Sequence, residues 1–227
     1  FLWYQTGGQD QRVVTDSDQR LYGSAFNLLT VCIWRIAGHD FGSWPAGFYE
    51  ISHLLIALTG WIGLVAAGRI GCRLAGPCAG FLSVLFLALT PVYVGHAFMN
   101  PKDAPLAVGF LVATDALLVA LREWPAPSWK TIAILGVSMG LTMGVRVNGV
   151  LLLAYWTLLV TVAVVLPETL AGPGARRPAL ASLIRTWLLP CAIAWMIMTA
   201  LWPFAQLNPL WNPIQAILEN AKFHWPA

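Results

Sequence analysis

Six stretches of this chain, 51–67, 79–94, 104–121, 131–145, 149–166 and 186–202, are apolar over nearly the length of a membrane span. Crossing the hydrocarbon as a helix takes about 20 residues, so flanking residues are expected to extend several of them. Lipid offers no partner for backbone N–H and C=O groups, which leaves helices as the economical way for such stretches to cross. The fold class expected is therefore all-α: a polytopic membrane helix bundle of about six transmembrane helices, with interfacial helices beside them. Composition agrees. The chain is 58% hydrophobic and only 10% charged, whereas a soluble domain carries about 25% charged residues to face water. A secreted disulfide scaffold or a disordered chain is excluded on the same figures. The net charge of +3 comes without a Lys/Arg run, which argues against a nucleic-acid partner. Cys32, Cys72, Cys78 and Cys191 form no C-x-x-C pair and read as buried free thiols.

The few charges sort by position. Arg69 and Arg73, Arg122 and Lys130, and Arg176, Arg177 and Arg185 fall between spans in alternate connections, accompanied by Glu123 and Glu168. The positive-inside rule puts those connections in the cytoplasm. The opposite face then holds Arg12, Arg20, Arg35, Lys102, Arg146 and Lys222 with most of the acids. This divides the chain into residues 1–50, part of a first outer loop, 51–203, the spans with short loops, and 204–227, a second outer loop. An amphipathic interfacial helix is expected over 22–38, with Tyr22, Trp34, Trp44 and Tyr49 at headgroup level. A second short one is expected from Ile214, Ile217, Leu218 and Ala221.

Two polar clusters lie at the outer ends of spans. Residues 95–105 bring His96, Asn100, Lys102 and Asp103 together between Gly95 and Pro105. Asp103 stands where the next helix begins, a position that favours a carboxylate through the helix dipole and free N–H groups. It reads equally as a reacting group or as a plain helix cap, with Lys102 snorkelling and His96 capping the preceding helix. Residues 144–149 hold Arg146 and Asn148. A guanidinium there is suited to a lipid phosphate, through paired hydrogen bonds, or to anchoring at the interface. Asp115 lies about 18 Å farther along the helix than Asp103, too far to share a site with it. An interhelical hydrogen bond or a protonated carboxyl is expected there.

The order of these features resembles a known family. Leu21-Tyr22-Gly23, the amphipathic helix, Tyr49-Glu50 with His53, Gly95-His96, Asn100-Pro101-Lys102-Asp103-Ala104-Pro105, Gly144-Val145-Arg146 and Trp202-Pro203 together resemble the family 39 branch of the GT-C glycosyltransferases. That branch includes protein O-mannosyltransferases and the aminoarabinose transferases of lipid A. The resemblance implies a GT-C helix bundle that moves a sugar from a polyprenyl-phosphate carrier to a lipid, glycan or protein acceptor. The expected location is a bacterial inner (plasma) membrane with the site on its outer face. By the same resemblance Asp103 is the catalytic carboxylate of the second outer loop, near the reacting sugar or orienting the acceptor, and Lys102 and Arg146 bind the donor phosphate and balance its charge. His96, Asn100 and Asn148 would supply hydrogen bonds to donor or acceptor. The resemblance assigns no certain cofactor and leaves a divalent metal open. Ser52 stands where many relatives carry Arg. The family's first-loop acidic pair would lie upstream of Phe1-Leu2-Trp3-Tyr4, and Asp10, Asp16 and Asp18 do not sit in its place. A fragment truncated at both ends, inactive by itself, is the expectation. A transporter fragment and a non-catalytic membrane scaffold are the competing readings of the same bundle.

Overall fold

The structure is a computed structural model that describes residues 2–15, 18–39, 47–166, 168 and 179–221. Asp16, Trp44, Arg176, Arg177 and Lys222 lie outside the described residues, as does the end of the 204–227 segment. Among the described residues the elements are all helical: α1 (Ala25–Ile36), α2 (Phe48–Leu89), α3 (Pro91–Met99), α4 (Asp103–Arg122), α5 (Trp129–Val145), α6 (Val150–Val165), α7 (Leu180–Leu201), α8 (Pro203–Leu207) and α9 (Trp211–Ala221). Short helical turns at Leu2–Gln5, Arg12–Thr15 and Asp18–Leu21 precede them. The fold is an all-α membrane helix bundle, and four helical stretches are long and apolar enough to cross a bilayer: Phe48–Leu89, Asp103–Arg122, Val147–Val165 and Leu180–Leu201.

The first two expected spans form one 42-residue helix with a sharp break. Ala75 leaves the helical region, Gly76 takes φ +85, and Pro77 restarts the chain. A left-handed φ suits glycine, which has no Cβ to clash, and proline suits the first turn of a new helix because it has no N–H to lose. The two arms fold back on each other so closely that a Cβ on Gly80 would fall 2.1 Å from the Cys72 sulfur. Small residues let membrane helices approach in this way. Arg69 and Arg73 therefore sit inside the first arm, not in a loop as the charge pattern suggests. Nothing before Ala75 breaks the helix, since arginine is a good helix former. The return arm passes Thr90-Pro91 into α3, where the Tyr93 hydroxyl donates to the Gly60 carbonyl at 2.6 Å.

α5, the shortest of the expected spans and a helix of 17 residues, is the most enclosed, with eleven residues buried. Gly136 and Gly140 bring it against α7, where added Cβ atoms would come within 2.8 Å of Ile193 and the Ala194 carbonyl. Leu135, Met139, Met143, Leu152, Trp156, Met198 and Trp202 form a core at 1% exposure or less. Large side chains such as Trp61, Phe81, Phe86 and Leu89 point outward instead, as expected where the surroundings are acyl chains. The cysteines are free, but Cys32, Cys72 and Cys78 are exposed and only Cys191 is half-buried. Apolar sequence around a thiol marks a lipid-facing surface here as readily as a core.

Arg69 and Arg73 donate from Nε to the two oxygens of Asp115 on α4, at 2.8 and 2.5 Å. Of the two expectations for this residue, the interhelical bond is the one present, as an ion pair with both arginines. Asp115 is buried but the Arg69 side chain is 56% exposed, so removing the carboxylate from this partly buried pair costs about 1–3 kcal/mol. Asp115→Ala is accordingly expected to lower unfolding stability in detergent by about 2 kcal/mol, read from the denaturation midpoint, with Asp115→Asn falling between it and the wild type.

At the other end of the bundle the N-terminal segment and the last two helices lie over the helix ends. Trp202 donates its indole N–H to the Arg20 carbonyl at 2.8 Å, Arg20 pairs with Glu219 at 3.2 Å, and Trp3 donates to Gln206 at 2.7 Å. α1 follows the expected interfacial helix within shorter limits, burying Phe26, Thr30, Val31 and Trp34 on one face. α9 is present too, but its buried residues are Asn212, Pro213 and Ala216. Of the expected apolar pattern, Ile214 and Leu218 are exposed and Ile217 is partly buried against the core. The buried Asn212 amide donates to the Phe204 carbonyl at 2.6 Å and fastens the start of the helix to α8.

Candidate functional site

Asn100 organises the loop between α3 and α4. Its side-chain carbonyl accepts the N–H groups of Lys102 (3.0 Å) and Asp103 (2.8 Å), two of the donors a helix start leaves unpaired. The cap of α4 is thus Asn100, and Asp103 is the first residue of the helix with its carboxylate left for other partners. The Asn100 amide bridges onward, donating to Asp103 Oδ2 at 3.0 Å and to His96 Nδ1 at 2.8 Å. Because the amide nitrogen can only donate, His96 accepts through Nδ1 and carries its proton on Nε2 in the neutral form. His53 has the opposite arrangement: its Nδ1 lies 2.8 Å from the Phe98 carbonyl, which can only accept.

Arg146 reaches the same carboxylate from α5, with Nη1 hydrogen-bonded to Asp103 Oδ1. It stands just past the end of α5 in extended backbone, where the chain turns into the Val147–Gly149 helical turn. That extended geometry lets it form an isolated antiparallel bridge with Tyr22. The Tyr22 ring lies beneath both cations of the site: Lys102 Nζ is 4.4 Å and Arg146 Cζ 5.2 Å from its centroid. A cation over an aromatic face is attracted by about 0.5–1 kcal/mol at exposed sites, more when desolvated. The segment carrying Tyr22 is fastened at Ser24, whose hydroxyl and N–H both donate to the Leu201 carbonyl, at 2.7 and 3.3 Å. Gly23 meets Gly144 backbone to backbone, and only glycine fits there.

The fold therefore brings Asp103, Lys102, Arg146, Asn100 and His96 into one polar cluster. Asn148 is not part of it. It lies exposed in the turn after Arg146, and no hydrogen bond joins its side chain to the others. Tyr22 is legible in the sequence only as an interfacial aromatic, and its place under the two cations depends on the glycine pair Gly23 and Gly144. Among the described residues no group of three or more His, Cys, Asp or Glu is placed to hold a metal ion.

The Asp103 side chain is 48% exposed and that of Arg146 27%, so the pair is open to a ligand from above. Beside Tyr22 and Lys102 a small cavity of about 80 Å³ is also bounded by Gly23, Phe26 and Val145. Phe26 and Val145 also wall a larger apolar groove of about 200 Å³ between α1, α4 and α5, which continues to Leu29, Val108, Val112 and Leu141. Its two hydroxyl groups are satisfied within α5: Ser138 donates to the Leu135 carbonyl at 3.0 Å and Thr142 to the Ser138 carbonyl at 2.6 Å. The groove thus offers an apolar surface that shares two walls, Phe26 and Val145, with the cavity beside Lys102. Comparison of the chain with protein families, with curated proteins and with solved structures finds no match.

Proposed function

We propose that this chain carries part of the active site of a membrane glycosyltransferase, which moves a sugar from a polyprenyl-phosphate carrier to an acceptor at the outer membrane face. The observation that carries the reading is the pairing of Asp103 with Arg146, with Arg146 and Lys102 over Tyr22, beside a small cavity that shares Phe26 and Val145 with an apolar groove. A lipid-linked sugar phosphate has three parts, and each finds a matching surface. The polyprenyl chain suits the groove between α1, α4 and α5. The phosphate suits Lys102 and the Arg146 donors that Asp103 does not use, since a guanidinium carries five N–H groups. The sugar and the acceptor hydroxyl then lie beside Asp103.

In the reaction the acceptor oxygen attacks the anomeric carbon, and the bond from that carbon to the phosphate oxygen breaks. The electron pair leaves with the polyprenyl phosphate, whose growing charge Lys102 and Arg146 stabilise. Asp103 accepts the hydroxyl proton as the new bond forms. Asn100 fixes the carboxylate from one side and Arg146 from the other, so its oxygens are positioned before substrate arrives. The basic end, with Arg69, Arg73, Arg122, Lys130 and Arg185, faces the cytoplasm in this reading. The ion pair of Asp115 with two arginines of the neighbouring helix supports a structural part for that residue over an ion relay.

Arg146→Ala in the full-length protein is expected to raise the KM for the lipid-linked sugar about tenfold, which is near 1.4 kcal/mol of lost phosphate binding. Arg146→Lys should recover part of it by restoring the charge without the paired geometry. An unchanged KM in Arg146→Ala, measured with an extracted polyprenyl-phosphate sugar, would remove the phosphate role.

A further inference from the structure

The end of the bundle opposite the polar cluster carries a second charged cleft. Arg69 and Arg73 on α2, Asp115 and Glu123 at the end of α4, and Lys130 on α5 line a cavity of about 270 Å³. Each carboxylate already has partners. Asp115 is held by the two arginines, and Glu123 accepts the Ser128 N–H at 2.7 Å, which keeps its carboxyl below the usual range. The arginines hold Asp115 through Nε alone and make no other side-chain hydrogen bond among the described residues, so their terminal amino groups remain available. Arg69, Arg73 and Asp115 together carry one net positive charge. Asp115 lies seven residues before the end of α4 at Arg122, about 10 Å along the helix. Unneutralised charge at such depth is costly in a bilayer. A counter-anion that can reach it is therefore favoured.

The same two arginines border a second, more open hollow of about 480 Å³ with Val65, Gly68, Cys72 and Arg122. From there an exposed apolar stripe, Val65, Ile62 and Leu58, runs up the outer face of α2. These residues are spaced three and four apart and continue the line of Arg69, so they share one helix face. Phosphate is the anion that best matches two guanidinium groups with free donors and an ammonium. The apolar stripe beside them decides its source.

We propose that this cleft binds the phosphate of an anionic membrane phospholipid, with Arg69, Arg73 and Lys130 around the headgroup and an acyl chain along Leu58, Ile62 and Val65. Basic pockets between spans are suited to such headgroups. The proposal needs only the membrane bundle and is independent of the transferase reading.

The test uses the full-length protein in phosphatidylcholine nanodiscs, with or without phosphatidylglycerol, and native mass spectrometry to count retained lipid. The wild type is expected to retain phosphatidylglycerol about tenfold over phosphatidylcholine. Arg69→Gln and Lys130→Gln should each lower that preference about fivefold, with phosphatidylcholine retention unchanged. Lys130 makes no side-chain hydrogen bond among the described residues, so its variant stays informative if loss of Arg69 disturbs folding. Equal retention of the two lipids by the wild type overturns the proposal, as does an undiminished preference in Lys130→Gln. Millimolar inorganic phosphate that displaces phosphatidylglycerol completely would make this a free-anion site and overturn the lipid assignment.

Discussion

Asp103→Asn is expected to reduce sugar transfer by the full-length protein about 10²–10⁴-fold, the usual worth of a positioned general base, while the protein still inserts and folds. The substitution keeps the size and planarity of the side chain. Its amide oxygen can still accept from Arg146, and the start of α4 keeps its cap because Asn100 supplies it. What disappears is the group able to take a proton from an acceptor hydroxyl. The measurement pairs turnover of a lipid-linked sugar with the thermal unfolding midpoint of the purified variant. Loss of turnover at an unchanged midpoint separates chemistry from folding. Wild-type turnover in Asp103→Asn would end the assignment of this residue, and a transfer reaction that depended on Lys102 and Arg146 alone would need another base.

Much of this arrangement is legible in the amino-acid sequence, and the reason is the scarcity of charge. In an apolar chain a residue such as Asp103 or Arg146 stands out, and short loops between antiparallel spans restrict where it can go. The spans themselves are legible because about 20 apolar residues in a row leave few alternatives to a helix. Other features depend on distant pairings that carry no local mark. Tyr22 lies under Lys102 and Arg146 only because Gly23 and Gly144 allow two backbones to meet. Arg69 and Arg73 look like loop residues because the charge pattern cannot tell the last turns of a helix from the connection that follows it. The break at Gly76-Pro77, not the charges, sets that boundary. On α9 the apolar periodicity marks the helix, and Ile214 and Leu218 face outward, since in a membrane protein an apolar stripe can face lipid as well as protein. Asn148 is close to Arg146 in sequence, yet it lies exposed in the helical turn that follows, with no side-chain hydrogen bond to the cluster.

Gly23→Ala is expected to damage the same site from the opposite side. An added Cβ would fall 2.0 Å from the Gly144 carbonyl oxygen and 2.4 Å from its carbon, well inside any real contact. The neighbour cannot give way, because Gly144 is itself buried at the end of α5, with Ala25 and Leu201 side-chain atoms 3.3 and 3.4 Å from where its own Cβ would lie. The strain must be relieved by lifting residues 22–24. That motion breaks the Tyr22–Arg146 bridge and the Ser24 bonds to Leu201, and it removes the ring from beneath both cations. Overpacking usually costs about 1–3 kcal/mol, and a backbone clash belongs at the upper end, so a stability loss of about 3 kcal/mol is expected. The KM for the lipid-linked sugar should rise with it, because Lys102 and Arg146 lose their common support. Gly95→Ala is the matched control, since nothing lies within 4 Å of a Cβ there and alanine favours the helix. That variant should keep wild-type stability and transfer. If Gly23→Ala melts with the wild type and transfers sugar normally, residues 22–24 are not seated on α5, and Tyr22 has no part in holding the two cations.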